Sequence, residues 1–235
     1  QHGIWTGISN ATNTWRKKFA KPTVIAPHGS LEPWALKRSP FKKWLALTLY
    51  ESSNLNAVSA LHATSDKEIN NFRRFGLKRP VAFIPNGISR KWSDCVGVAA
   101  RFHQHCGIEE GQRILLYMGR ITPQKGIPLL LDAIRENRDS FTGWTLVIVG
   151  NDEFGDEADI ENLLQEYNLQ GQIRLLAPIF GQMKRDAFAA AELMVLPSLS
   201  EGSPMIVLDS LAVGVPVIAT TASSWGDLEA YRCGW

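Results

Sequence analysis

Two short loops carry the residue types that could hold a charged, hydroxyl-rich ligand. The first, Gly119-Arg120-Ile121-Thr122-Pro123-Gln124-Lys125-Gly126, leaves an apolar run and enters a helical pattern. Doubly wound sheets bind ligands at such strand-to-helix junctions. Glycines let the backbone approach a ligand, a helix N-terminus offers unpaired N–H groups, and Arg120 and Lys125 add two positive charges. Together these suit a diphosphate. Taken alone, an ordinary βα loop with two exposed basic residues explains them equally well.

The second loop, Pro197-Ser198-Leu199-Ser200-Glu201-Gly202-Ser203-Pro204, also leaves a strand pattern and enters a helix. Glu201 followed by Gly202 sets a carboxylate where the backbone can lie against a ligand, and Asp209 follows eight residues later, after Pro204 has opened the helix. Two carboxylates so spaced can grip hydroxyls at two parts of one extended ligand. A solvated loop glutamate and an unrelated helix aspartate is the plainer reading of this loop by itself. Both loops, in order and on one βα framework, favour a site. By contrast Cys95, His103, His105 and Cys106 lie within twelve residues but lack the regular paired spacing of zinc motifs, so no metal is expected there.

These loops need a framework, and the chain supplies one. Short β-rich apolar runs alternate with amphipathic stretches, the pattern of a parallel sheet flanked by helices. Expected strands are Thr23–Ala26, Val58–Ala63, Val81–Ile84, Ile114–Tyr117, Thr145–Val149, Ile173–Leu176, Leu193–Leu196 and Pro216–Ala219. Helices are expected over Pro40–Asn56, from Ser65 towards Phe75, and over Ile127–Asn137, Asp156–Tyr167, Met183–Ala191 and Pro204–Val213. Ser65 with Glu68 three residues on reads as a capping box. Pro85-Asn86-Gly87 is a turn. The near-continuous apolar character of the strands fits a sheet buried on both faces. Two α/β units follow, with the boundary in the polar stretch near residues 87–111; we assign 1–94 and 95–235.

Composition narrows the class. The 235 residues are 45% hydrophobic and 20% charged, enough to bury a core, and 25 basic against 23 acidic residues give no reason to expect nucleic acid as a partner. Three cysteines without CxxC spacing argue against a disulfide framework and for a reducing, cytoplasmic compartment. No apolar run approaches the roughly 18 residues of a spanning helix, and no signal peptide pattern opens the chain. Lys37, Arg38, Lys42 and Lys43 interleave with Trp34, Phe41 and Trp44. A solvated helix face with buried aromatics is the plainer account of that stretch, and contact with an anionic membrane surface is the other. The chain begins with Gln1 and stops at Cys233-Gly234-Trp235 without a closing helix pattern, so it reads as a piece of a longer protein.

Several separated stretches together resemble the family-4 glycosyltransferases of the group 1 type, notably those that build bacterial surface polysaccharides. The carrying segments are LLYMGRITPQKGIPLLLDAI, TLVIVGNDEFG and VLPSLSEGSPMIVLDSLAVGVPVIAT. Weaker likeness lies in KPTVIAPHGSLEPWALKRSPFKKWLAL, LHATSDKEI and VAFIPNGI. The match covers nearly the whole chain and keeps the family's motif order. It implies the α/β GT-B fold of two Rossmann-like parallel-sheet domains, the N-terminal one incomplete here.

The resemblance also implies roles. Arg120 and Lys125, with Gly119, would bind the donor diphosphate. Glu201 would contact hydroxyls of the donor sugar, and Gly202, Ser203, Pro204 and Met205 would lie close to sugar and phosphate. Asp209 stands where the family usually has Glu and would face the ribose hydroxyls; being one methylene shorter, it would make a longer or water-bridged contact. His28 would lie near the anomeric centre, although a histidine capping a strand and satisfied by a backbone group explains it as well. The implied reaction is transfer of a sugar from a nucleotide-diphosphate sugar, a co-substrate, to a glycan or lipid-linked acceptor with retention, without metal or other cofactor. A GT-B-fold nucleotide-sugar epimerase and a nucleotide-binding module without turnover are the alternatives. An NAD-binding protein is disfavoured, because no GxGxxG follows a strand.

Overall fold

The computed structural model describes residues 1–94, 96–109, 111–152 and 156–235. The chain divides into two compact units, one of Gln1–Asn86 with Ser200–Ser203 and one of Gly87–Leu199 with Pro204–Trp235. Each is an α/β unit built on a parallel sheet.

In the first unit β1 (Val24–Ile25), β2 (Ala60–Ala63) and β3 (Val81–Phe83) pair in that order, all parallel. An isolated bridge lays His2 beside Ala26, extending the sheet past β1. Around it run α1 (Gly7–Phe19), α2 (Pro33–Lys37), α3 (Pro40–Ala46), α4 (Ser52–Asn56) and α5 (Asp66–Arg74). Ile25, Leu55, Leu61, Ala63 and Phe72 form the buried centre. Each large side chain of this kind contributes about 1.5–3 kcal/mol by leaving water.

The helix expected over Pro40–Asn56 is interrupted by one π-helical turn, Leu47–Glu51. Such single-turn bulges are the usual form of π-helix inside an α-helix. Here Glu51 is fully buried and accepts from Trp5 N at 2.9 Å and Asn54 Nδ2 at 2.9 Å. The capping box forms as expected in part. The Ser65 hydroxyl accepts from Glu68 N at 3.3 Å, and α5 begins at Asp66.

In the second unit the order is β6-β5-β4-β7-β8, all parallel: β4 (Arg113–Met118), β5 (Trp144–Val149), β6 (Ile173–Leu176), β7 (Ala191–Leu196) and β8 (Val217–Ala219). Residues 114–118 and 145–149 are buried throughout, and separate clusters pack on the two faces of the sheet. Helices α6 (Arg90–Ser93), α7 (Ala99–Cys106), α8 (Ile127–Glu136), α9 (Asp156–Glu166), α10 (Gly181–Ala190) and α11 (Met205–Leu211) complete it. The chain starts in the middle at β4, runs outward through β5 to β6, then returns to β7 on the other side. That reversal makes the C-terminal ends of β4 and β7 the sheet's switch point, where crevices open in such sheets.

Helix α7 lies in the stretch expected to be polar connection. Its inward face is Phe102, His103 and Cys106, and Asp186 of α10 ties down its start by accepting from Val98 N at 2.8 Å.

Candidate functional site

The two loops picked out by residue type both leave the switch point. After β4, Tyr117 donates its hydroxyl to the Arg120 carbonyl at 2.8 Å and fixes the turn at Gly119. A 3-10 turn, Pro123–Lys125, follows, and Gly126 then opens α8. Gly126 has φ +67°, and a Cβ there would collide with the Pro197 carbonyl oxygen. Leu199 N donates to the Gln124 carbonyl at 2.8 Å. The two loops are therefore held directly against each other.

Beyond the strand ends opens a cavity of about 670 Å³. Gly119, Arg120, Met205 and Asp209 line it, as do Asn151, Phe180 and Lys184. Four of the residues singled out by sequence thus share one wall. Lys125, half-buried in the 3-10 turn, does not line this cavity, nor does Pro204, the residue before α11. Asp209 Oδ2 lies 2.5 Å from Lys184 Nζ, with the two side chains 14% and 24% exposed. Lys184 escaped the sequence reading. Nothing in its local pattern on an amphipathic helix marks it, and its partner lies 25 residues away.

His28, Glu201, Gly202 and Ser203 belong to the first unit. There the Ser200 hydroxyl donates to the Glu32 carboxylate, and Lys67 Nζ lies 3.4 Å from Glu32 Oε2. Lys67 also donates to the buried Glu201's carbonyl at 3.0 Å. Asn86 donates to the Ser203 carbonyl at 3.3 Å.

His28 follows β1 in a left-handed conformation, φ +51°. Its partner is a second histidine, not a backbone group: Nε2 lies 2.7 Å from His2 Nδ1 and the rings stack at 5.0 Å. His62 sits edge-on at 6.4 Å. Burial holds the His28 pKa below its ordinary value, and His2 and His62 push the same way while Glu68 opposes them. The Glu68 carboxylate accepts from Gly29 N at 2.7 Å, from Thr64 N at 2.8 Å and from the Thr64 hydroxyl at 2.7 Å. It thereby ties the loop after His28 to the end of β2.

Among the described residues no group of three His, Cys, Asp or Glu is placed to hold a metal ion. Cys95 lies outside the described residues. His103 has both ring nitrogens near carbonyls, Ala99 O at 3.0 Å and Gln112 O at 3.2 Å. Burial pushes the Cys106 thiol up to about 11, with Arg174 opposing.

Parallel sheets in both units, with a cavity at the second sheet's switch point, define an α/β protein of the GT-B kind. A family model described as glycosyl transferases group 1 matches residues 99–229, and one described as glycosyltransferase family 4 matches residues 2–92. The chain belongs to the group 1 glycosyl transferases. It is 32% identical over 218 residues to the uncharacterized glycosyltransferase MJ1178 of Methanocaldococcus jannaschii, covering 91% of this chain and 53% of that protein. It is 26% identical over 178 residues to the lipopolysaccharide glucosyltransferase WaaG of Escherichia coli, covering 72% of this chain and 46% of that one. The chain therefore spans about half the length of these relatives. A crystal structure of WaaG superposes with a TM-score of 0.77 at 18% identity over 96% of this chain and 66% of that chain. Anabaena HepE in complex with UDP-glucose gives 0.70 at 20% identity over 87% and 55%.

Proposed function

We propose that this chain holds the donor-binding part of a transferase that moves a sugar from a nucleotide-diphosphate sugar to a glycan or lipid-linked acceptor with retention. The observation that carries this reading is the cavity at the switch point, walled by Gly119, Arg120, Met205 and Asp209. HepE, crystallised with UDP-glucose, shares the fold and so supports a nucleotide sugar as the ligand. Arg120 and Lys125 would meet the diphosphate, Glu201 the sugar hydroxyls, and Asp209 the ribose. Gly202, Ser203, Pro204 and Met205 would offer close backbone approach. Fixed cations stabilise the charge that grows on a departing diphosphate, so turnover is expected without added divalent metal. We assign no carboxylate nucleophile. The acceptor oxygen would bond to the anomeric carbon on the face the phosphate leaves, its proton passing to the departing phosphate oxygen. The resemblance assigns His28 to this step.

The test is a thermal-shift screen of the chain against UDP, GDP, ADP and NAD, since a ligand bound only by the folded state raises the melting temperature. A rise with a nucleoside diphosphate, lost in Arg120→Ala, is expected. A response to NAD alone, or an equal rise in Arg120→Ala, would overturn the reading.

A second observation supports work at a membrane surface, and with it a cytoplasmic place at the inner face of the cell membrane. Phe41 is 71% exposed and Trp44 59%, with ring centroids 6.0 Å apart, on a helix that carries Lys42 and Lys43. Exposed aromatics beside basic residues suit an anionic lipid interface. No described helix is long and apolar enough to cross a membrane. Wild-type chain should sediment with vesicles containing phosphatidylglycerol and the double variant Phe41→Ser/Trp44→Ser should not; equal sedimentation of both would refute the assignment.

A further inference from the structure

Asp209 does not stand alone in the cavity wall. Lys184 of α10 reaches across to α11 and takes Oδ2 at 2.5 Å, and both side chains line the cavity. The backbone of Asp209 is held as well, its carbonyl accepting from the Trp92 indole N–H at 2.8 Å. The Lys184 ammonium lies 4.9 Å from the centre of that same indole, and Arg185 stacks on the ring at 5.4 Å. Trp92 in turn packs edge-on against the buried Phe188, with ring centroids 5.8 Å apart. Helices α6, α10 and α11 thus fix one carboxylate and one ammonium at a set distance, in a wall that otherwise includes Met118, Val149, Ile179 and Ile206.

A carboxylate is an acceptor with about four lone-pair sites, and an ammonium is a donor of three hydrogens. Their mutual contact uses one of each. Both groups line the cavity, so a ligand that enters it can meet capacity that this contact does not use. A carboxylate alone could accept from two neighbouring hydroxyls but could offer them no donor. The pair presents an acceptor and a donor side by side. A vicinal diol has that complementary pattern, because each hydroxyl both donates and accepts. The pair also answers the shortness of aspartate, since a lysine reaching in from a different helix adds a polar atom at the ligand's edge.

We propose that Lys184 is a specificity-determining residue of the nucleotide site: with Asp209 it forms a two-headed reader of the ribose diol and so makes the site select ribonucleotides over 2′-deoxyribonucleotides. This rests on the donor-binding reading above. A site built to hydrogen-bond a hydroxyl discriminates strongly against the analogue that lacks it, because its own polar groups are then left unpaired. Removing Lys184 leaves the carboxylate able to reorganise on either hydroxyl, and the discrimination falls.

The experiment is calorimetric titration of the whole chain with UDP, GDP and ADP, and then with the 2′-deoxy form of whichever binds. Wild type is expected to prefer the ribo form by about tenfold or more, the scale of one hydrogen bond to a charged group. In Lys184→Met the ribo preference should shrink by about threefold or more, towards the part that Asp209 alone supplies. Lys184→Arg, which keeps a donor against Asp209, should restore most of it and guards against a folding artefact. Inorganic pyrophosphate is the control ligand, and its affinity should be the same in wild type and Lys184→Met. An unchanged ribo preference in Lys184→Met overturns the proposal. So does an equal loss for ribo, deoxy and pyrophosphate, which would put the lysine on the phosphates. If wild type binds none of the three diphosphates, the donor-binding reading fails and the ribose reader fails with it.

Discussion

Replacing Glu68 tests the chain of reasoning that runs from a capping box to the loop behind His28. Its carboxylate is buried and accepts three hydrogen bonds, from Gly29 N at 2.7 Å, Thr64 N at 2.8 Å and the Thr64 hydroxyl at 2.7 Å. In Glu68→Ala all three are lost. The Thr64 hydroxyl can turn elsewhere, but the two backbone N–H groups cannot. An unsatisfied buried donor costs about 1–3 kcal/mol, in full for the buried Thr64 N and in part for the part-buried Gly29 N, so the variant should lose about 3–5 kcal/mol once the space left by the side chain is included. Glu68→Gln keeps one acceptor oxygen. If that oxygen serves the two Thr64 donors, the amide NH2 faces the Gly29 N–H and one donor is stranded, for a loss of about 1–3 kcal/mol. For a chain of this length 1 kcal/mol moves Tm by about 2–4 °C, so Ala should melt roughly 6–20 °C below wild type and Gln in between. The assay is urea unfolding followed by far-UV circular dichroism, with histidine NMR titration alongside. The Glu68 charge raises the His28 pKa against the larger effect of burial. Neutralising it in Glu68→Gln should therefore lower the His28 pKa further. Two variants within about 0.5 kcal/mol of wild type, or a His28 pKa that rises in Glu68→Gln, would refute the reasoning.

Three further substitutions probe the second unit. Asp186 is fully buried; burial raises its pKa, but the Val98 N–H, Gln182 and Arg101 outweigh that and bring it below the ordinary carboxylate value. A depressed folded pKa means that the stabilisation is present above the unfolded pKa and is lost as pH falls through the folded one. Wild-type stability should therefore drop on acidification below about pH 4, and Asp186→Asn should show a shallower drop from a lower starting point; parallel profiles would remove Asp186 from the account. Gly126→Ala and Gly107→Ala both place alanine at positive φ, but only Gly126 faces a backbone oxygen, that of Pro197, while Gly107 has nothing within 4 Å. Gly107→Ala should cost about 1–2 kcal/mol and Gly126→Ala clearly more, with weakened nucleotide binding; equal losses in denaturant melts would contradict the close approach.

How far the sequence alone reached depends on what each element is made of. The strands of the second unit were legible because residues 114–118 and 146–149 are apolar on both faces, the composition that a doubly covered sheet needs. The start of α5 was legible because a serine and a glutamate three apart have a local reason to be there. Helix α1 was not, because its buried side is small and polar, with Ser9 as the one fully buried residue. Helix α7 was missed for a related reason, since His103 and Cys106 stand inward beside Phe102 where a reader looks for aliphatics. The π turn at Leu47–Glu51 ends on Glu51, buried against Trp5 and Asn54, partners that periodicity cannot disclose. The same limit applies at the site: Asp209 was visible by spacing, whereas Lys184 reaches it only through the packing of α10 on α11.

The direct seat of Gly126 on the Pro197 carbonyl, together with the bond from Leu199 N to the Gln124 carbonyl, has a consequence for inheritance. Two loops that share a backbone interface cannot drift independently, because a side chain gained at position 126 collides whatever its chemistry. A chimera that imports the segment 119–126 from a relative while keeping the native 197–199 stretch inherits half of a joint. Grafts that carry both segments together should fold, and recombination within this family should favour crossover points that leave the pair on the same parental side.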